Sequence, residues 1–165
     1  MSFSEKMRES LGAEGVRLEI KPPSGTLAAG STMGATITML GGTKPARVDA
    51  LVVRIVEADR HWLSDTGSRV VEDEAQALDD RRHLTAGWER RTVGERRIAV
   101  GRDIAEGAQE SIEIEVEVPA DCKATSVSCA HTLNVQADIK GQIDPTSNAR
   151  IVVGAAVPTE HHELS

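Results

Sequence analysis

Two residues with clear chemical potential stand two positions apart, Cys129 and His131. On an extended strand this spacing puts both side chains on one face. There they could ligate zinc or pair a thiolate with a general base. The apolar residues that alternate with the same period place this face in the core, and no CxxC or HxxxH motif supplies further ligands. We therefore predict a buried, hydrogen-bonded histidine, no metal site and no cofactor; a small metal- or thiol-dependent enzyme is the alternative.

The second cysteine, Cys122, is too far away to join this pair if the chain between Cys122 and Cys129 forms an extended strand. Seven residues of strand would separate the two Cα atoms by about 23 Å, which is too far for a disulfide. Two free thiols are typical of a reducing cytoplasm. Residues 1–6 carry charges where a secretory signal would be apolar. We expect a cytoplasmic protein without a membrane span, since no apolar run approaches the ~20 residues that a spanning helix needs.

A group of paired arginines offers a different chemistry, recognition of an acidic partner. Between residues 79 and 102, seven arginines and four acidic residues leave a local charge of +3 in a chain of net charge -7. Arginine and tryptophan are the residues that most often anchor protein interfaces. The alternative is that the arginines neutralise residues 72–74 or a glutamate-rich strand, within one molecule or a homo-oligomer. The candidate partner-binding residues are Arg81, Arg82, Trp88, Arg90, Arg91, Arg96 and Arg97.

A row of carboxylates, Glu113, Glu115 and Glu117, has a spacing of about 7 Å that also occurs in inverting glycosidases. Any amphipathic strand rich in glutamate has this spacing, so we predict a solvated face. Only 2% of the residues are aromatic, which disfavours surfaces that stack on bases or sugars. The scarcity of aromatic residues therefore disfavours a glycosidase. The net charge of -7 disfavours a nucleic-acid-binding protein.

Alternating apolar and polar residues, separated by Gly and Pro, predict an all-β, antiparallel, immunoglobulin-like sandwich with an aliphatic core. We expect an amphipathic helix over residues 1–13, one sandwich domain over 15–158 and a polar tail over 159–165. The strand at 98–100 should pair with the strand at 112–118 through the connection at 105–108. Residues 60–97 should form a hairpin with a polar middle, and both tryptophans should lie outside regular strands. The predicted strands cover residues 16–20, 33–40, 48–58, 98–100, 112–118, 127–139 and 149–157.

A motif near the end of the chain resembles a known family. Asp138, Ile139 and Lys140 are followed by Asp144 and Pro145, and this motif resembles the bacterial sporulation-control M family, which is similar in fold to arrestins. The resemblance implies an arrestin-like sandwich with a non-enzymatic regulatory or scaffolding role in stress response or cell development. Our leading hypothesis is action through protein partners, with the arginine-rich segment and exposed sheet edges as the contact surfaces; a self-assembling structural protein is an alternative. The resemblance rests on residues 1–3, 98–119 and 134–146.

Overall fold

The computed structural model describes residues 15–70, 74–75 and 84–155. The predicted helix over residues 1–13 and the tail over 159–165 lie outside these ranges. Within the described residues, no helix is long and apolar enough to cross a bilayer. The strands of the described chain are β1 (Arg17–Lys21), β2 (Thr26–Ala28), β3 (Thr32–Leu40), β4 (Ala46–Leu63), β5 (Arg69–Val70), β6 (Thr85–Ile104), β7 (Gln109–Glu117), β8 (Cys129–Ile139) and β9 (Thr146–Gly154).

The strands form two sheets that pack as a sandwich. The smaller sheet has the order β1-β3-β7, and the larger has the order β2-β9-β8-β4 with β6 along the other edge of β4. The short β5 pairs with the end of β4. All of these pairs are antiparallel except β2 with β9, which is parallel. The predicted all-β, antiparallel-rich architecture is therefore confirmed.

The core between the sheets is aliphatic, as the composition predicts. Every second residue of β8 is buried, including Leu133 and Val135, and the alternating residues point to the outside. Ile37 and Ile114 of the smaller sheet are buried in the same cluster. Full burial of each such side chain contributes about 1.5–3 kcal/mol. The period-two pattern of the sequence therefore sets which face of each strand is inward.

Strand β4 lies in the middle of the larger sheet, between β6 and β8. Apart from Arg54, its central residues 51–56 are apolar on both faces, which is typical of an interior strand. Leu51, Val53 and Ile55 are buried against the other sheet, while the alternate residues are half-buried on the outer face. The pairing with β6 runs as far as Leu63 with Thr85, so the predicted hairpin in residues 60–97 is confirmed.

The predicted pairing of residues 98–100 with 112–118 is wrong. Strand β6 pairs with β4, whereas β7 pairs with β3 in the other sheet. The connection at residues 105–108 carries the chain from one sheet to the other instead of closing a hairpin. It does so beside the β3–β4 connection: Gly41 N–H donates to the Ala108 carbonyl at 2.7 Å, and Gly107 N–H donates to the Gly42 carbonyl at 3.0 Å.

Two further expectations are corrected. Val127 is 82% exposed and precedes β8, because residues 126–129 form a turn that is closed by a bridge between Ser126 and Cys129. Trp62 and Trp88 lie inside β4 and β6 and not outside regular strands. Both tryptophans lie in the part of the hairpin where residues 60–63 pair with residues 85–88. The polar composition of the surrounding sequence did not indicate that the strands extend this far.

Candidate functional site

Strand β6 carries most of the predicted partner-binding residues. It pairs with β4 over nearly its whole length, and no other described strand pairs with its second edge. Within it, Arg91 and Arg96 lie on the face shared with the buried side chains of β4, whereas Arg90 and Arg97 lie on the outer face. Each pair of adjacent arginines therefore places one arginine on each face of the sheet. The predicted Arg81 and Arg82 lie outside the described residues.

The two inward-facing arginines lie beside carboxylates of this same chain. Arg91 Nε donates to Glu57 Oε2 at 3.0 Å, and the Glu57 carboxylate is fully buried. This contact raises the pKa of the Arg91 guanidinium. Arg96 lines a cleft together with Glu115 and Glu117 of β7. Those two glutamates are exposed, as is Glu113, so the predicted solvated carboxylate face is confirmed.

The family-like motif has a structural role at the turn between β8 and β9. Asp144 Oδ1 accepts a hydrogen bond from the backbone N–H of the buried Ile139 at 3.1 Å. The carbonyl of Pro145 accepts one from Ala137 N–H at 3.0 Å. Asp138 points to the outer face and binds Arg97 at 2.6 Å, and Lys140 is exposed in the turn. The motif therefore fixes this turn and joins it to β6.

The outer face of the larger sheet contains an open groove of about 710 Å³. Small side chains, Val56 and Ala58 of β4 and Ala130 of β8, form its floor, because they stand between longer side chains on the flanking strands. None of the described residues that line it is acidic. Its walls and ends are Trp88 and Arg90 of β6, Thr132 and Asn134 of β8, and Asn148 and Arg150 of β9. We refer to these nine residues as the outer groove.

Arginine and tryptophan are concentrated at one end of the outer groove. The Arg60 guanidinium lies 5.0 Å from the centroid of the Trp62 ring, in a cation–π contact. On the neighbouring strand, Trp88 is paired with Arg60 and is 47% exposed. Arg90 and Arg150 are exposed and make no ion pair with any residue in the described ranges. Both guanidiniums are therefore available to an acidic ligand.

The predicted Cys129–His131 pair belongs to a buried polar cluster at one end of the sandwich. His131 is 1% exposed and hydrogen-bonded, as predicted: its Nε2 lies 3.3 Å from Glu57 Oε1, and its Nδ1 lies 2.8 Å from Thr125 Oγ1. Cys129 Sγ lies 3.9 Å from the same Nε2, and Cys122 Sγ lies 3.4 Å from it. The expected separation of the two cysteines is wrong, because the turn at residues 126–129 brings the chain back.

Both thiols are poor nucleophiles in this environment. Burial, reinforced by the neighbouring Asp59 carboxylate, raises the pKa of Cys129 to about 12. Burial also raises the pKa of the half-buried Cys122, with a further contribution from Glu57. Since the thiolate is the nucleophile in cysteine enzymes, these shifts work against covalent catalysis. The raised pKa values of both thiols therefore disfavour a thiol-dependent enzyme, which was the alternative drawn from the sequence.

Sequence reasoning missed Glu57 and Arg150. Glu57 follows a run of apolar residues in β4 and pairs with His131, which is 74 positions away in the chain. Arg150 stands alone in β9, and it reaches the outer groove because it pairs with Thr132. Neither residue belongs to a local motif. Only the register of β4, β8 and β9 could have identified them.

Two stacked, mostly antiparallel sheets define an arrestin-like β-sandwich. The family follows from the sequence: residues 4–161 match the Spo0M protein family, and the chain belongs to it. The resemblance drawn from the Asp138–Pro145 motif is thereby confirmed. The family is one of sporulation control.

A solved structure of the family shares this fold. Spo0M, a sporulation control protein from Bacillus subtilis, superposes with a TM-score of 0.65 at 16% identity, over 86% of this chain and 50% of that one. The chain thus spans half the length of that structure. Red sea bream transglutaminase has a TM-score of 0.48 at 12% identity, over 84% of this chain and 15% of that enzyme, which is too distant to support any inference. No curated protein sequence matches the chain.

Proposed function

We propose that this protein is a non-enzymatic, cytoplasmic regulator that acts in sporulation control by binding an acidic segment of a protein partner in the outer groove. The observation that carries the proposal is the charge of the groove. Arg90 on β6 and Arg150 on β9 stand on opposite sides of it, and none of its described lining residues is acidic. The chain as a whole carries a net charge of -7, so the lining of this groove is an exception.

The width of the outer groove suits one extended peptide segment. Strands β6 and β9 are three strand spacings apart, or about 14 Å, which leaves room for a chain between the two arginines. A guanidinium binds a carboxylate through two parallel hydrogen bonds, which gives orientation as well as attraction. The floor of small side chains lets the ligand backbone approach the sheet. An acidic segment could therefore contact both walls at once.

A pair of asparagines gives the groove a means of binding peptide backbone. Asn134 Nδ2 donates to Asn148 Oδ1 at 2.8 Å, which aligns the two amides across β8 and β9. Each side-chain amide has two donors and an acceptor, so this one bond leaves others for a ligand. Trp88, half exposed at the end of the groove, adds an apolar contact of the kind that anchors interfaces. These features support a peptide ligand over a free anion.

The proposal is tested by binding partners from native cells to three forms of the full chain. The double variant Arg90→Glu/Arg150→Glu reverses the charge of the groove. The matched control, Arg96→Glu, changes one arginine of the same strand on the opposite face. We expect the wild type and the control to retain the same partner and the double variant to lose it. Retention of every partner by the double variant would refute the proposal.

Self-association is a second candidate, favoured by the exposed glutamates of β7. Glu113, Glu115 and Glu117 form an acidic row on an edge strand of the smaller sheet, and they could occupy the outer groove of a second copy. Sedimentation equilibrium of the wild type distinguishes the two candidates. A dimer that Arg90→Glu/Arg150→Glu dissociates would support self-association. A monomer at high concentration would leave a different protein as the ligand.

A further inference from the structure

The buried cluster around His131 has the composition of a metal site. Glu57, Cys129 and His131 are all buried, and their ligand atoms lie within 4.8 Å of one another. The sulfur of Cys122 lies 3.4 Å from the same ring nitrogen. Carboxylate oxygen, imidazole nitrogen and thiolate sulfur are the ligands that zinc takes in proteins. Strands β4 and β8 thus bring three zinc-type ligands together, and the loop before β8 places a fourth, Cys122, beside the histidine.

The distances from His131 Nε2 to the other three ligand atoms are those expected around a tetrahedral ion. With zinc bonds of about 2.0–2.1 Å to nitrogen or oxygen and about 2.3 Å to sulfur, neighbouring ligand atoms stand about 3.3–3.8 Å apart. From His131 Nε2, the measured separations are 3.3 Å to Glu57 Oε1, 3.4 Å to Cys122 Sγ and 3.9 Å to Cys129 Sγ. Each falls within about 0.2 Å of the tetrahedral range.

Three polar atoms converge on one nitrogen of the buried His131 ring. A neutral imidazole Nε2 either carries one proton or accepts one, so it serves one strong partner. Here it faces a carboxylate oxygen and two sulfurs. A cation at the centre would bind all three partners and the nitrogen together. The convergence on His131 Nε2 is therefore the observation that carries the inference.

The surroundings of the cluster also resemble the outer shell of a metal site. Thr125 Oγ1 lies 2.8 Å from His131 Nδ1 and accepts a hydrogen bond from Val153 N–H at 2.9 Å, which fixes the hydroxyl. A histidine that binds metal usually donates from its other nitrogen to such an oxygen. Arg91 holds the second oxygen of Glu57 at 3.0 Å. A divalent ion, two thiolates, one carboxylate and one guanidinium sum to zero charge, which favours burial.

We propose that Glu57, Cys129 and His131, with Cys122 as the fourth ligand, bind one Zn²⁺ that closes this end of the sandwich. This proposal departs from the sequence-based prediction of no metal, which had no means of placing Glu57, 74 positions before His131, beside the other ligands. On binding, each cysteine S–H bond is replaced by a Zn–S bond, and two protons pass to the buffer. Four protein ligands leave no open position, so this zinc is structural.

The test uses the full chain without an affinity tag, reduced and freed of metal. We expect Zn²⁺ to bind at one equivalent per chain in competition with a chromophoric chelator, and to raise the unfolding temperature. Co²⁺ should give the visible bands of a tetrahedral site together with thiolate charge-transfer absorption. A wild-type chain that shows neither one equivalent of zinc nor the tetrahedral cobalt spectrum would overturn the proposal.

Variants assign the individual ligands. His131→Gln should weaken zinc binding about 100-fold or more, in keeping with the loss of a ligand. Cys122→Ser and Cys129→Ser should each remove about half of the cobalt–thiolate absorption, because each removes one of two sulfurs. An unchanged absorption in Cys122→Ser would overturn the four-residue set. If His131→Gln does not fold, the two serine variants and the wild-type spectra still decide.

A matched control excludes binding by the other histidines. His161 and His162 stand side by side near the end of the chain and could bind metal without a structured site. The variant His161→Gln/His162→Gln should retain one zinc per chain with unchanged affinity. Loss of zinc from this variant would assign the metal to that segment and overturn the proposal.

Discussion

Arg97 Nη2 donates to Asp138 Oδ2 at 2.6 Å, although their strands are not neighbours. Strand β4 lies between β6 and β8, so the ion pair bridges the small outer-facing side chain of Val52. It connects an arginine of the charged β6 segment with the first residue of the motif that the family resemblance rests on. Some arginines of β6, such as Arg97, therefore form ion pairs within the chain, whereas Arg90 is exposed and available to a ligand.

The Arg97–Asp138 ion pair should contribute a measurable interaction free energy to the stability of the fold. A double-mutant cycle with Arg97→Gln and Asp138→Asn should give about 0.5 kcal/mol of interaction, which decreases as salt is added because both groups are partly exposed. Urea unfolding measures each variant. The Arg47–Asp103 pair, at 3.4 Å and with exposed side chains, is the control and should couple less. Equal coupling in both pairs would contradict the structural role.

Gly41 should tolerate no side chain. A Cβ atom there would collide with the Ala105 carbonyl oxygen, where the two crossovers between the sheets run side by side. Because the obstacle is backbone, Gly41→Ala should lower the free energy of unfolding by about 1–3 kcal/mol. Gly34→Ala is the control: nothing lies within 4 Å of its Cβ position, so stability should be unchanged or higher. Equal unfolding midpoints for Gly41→Ala and Gly34→Ala would contradict the predicted collision at Gly41.

The hydrogen bond from Ile139 N–H to Asp144 Oδ1 should stabilise the β8–β9 turn. Asp144→Ala removes the acceptor and leaves a part-buried N–H unpaired, which should cost about 1 kcal/mol in the free energy of unfolding. Asp144→Asn retains an acceptor oxygen and should recover most of the loss. Thermal unfolding of the three proteins compares them. Similar losses in both variants would show that charge, and not hydrogen bonding, is what matters.

Glu89 should titrate below its ordinary range. Arg69 Nη2 donates to Glu89 Oε2 at 2.7 Å, and this contact lowers the pKa of the carboxyl below its usual range. A lowered folded-state pKa contributes stability that is present above the unfolded pKa and is lost as the pH falls through the folded value. Carboxyl NMR titration should show the low pKa, and Arg69→Gln should restore the ordinary one. No change in that variant would argue against the pairing.

The fold could largely be predicted from the sequence because alternation fixes the inward face of each strand. The glutamate strand β7 and the apolar centre of β4 behave as their patterns indicate. Strand pairing could not be predicted in the same way. The connection at residues 105–108 has the length of a hairpin turn, yet it crosses between the sheets, because β6 pairs with β4 in one sheet and β7 pairs with β3 in the other.

The candidate sites depend on register between distant strands, so the sequence revealed only part of each. Alternation placed Cys129 and His131 on one inward face, but Glu57 reaches them only through the pairing of β4 with β8. The arginine-rich segment was recognisable from composition. Its division into two faces, and the contribution of Arg150 from β9, required the ladder of hydrogen bonds across four strands.

Photo-crosslinking from the outer groove shows whether a partner binds there. A photoreactive residue in place of Thr92, on the outer face of β6 beside Arg90, should crosslink in native cells to one partner through an acidic segment. The same residue in place of Arg96, on the opposite face, should not. Adding Arg90→Glu and Arg150→Glu to the Thr92 form should abolish the product. Crosslinking that is equal from both faces, or that survives the charge reversal, would contradict partner binding in the outer groove.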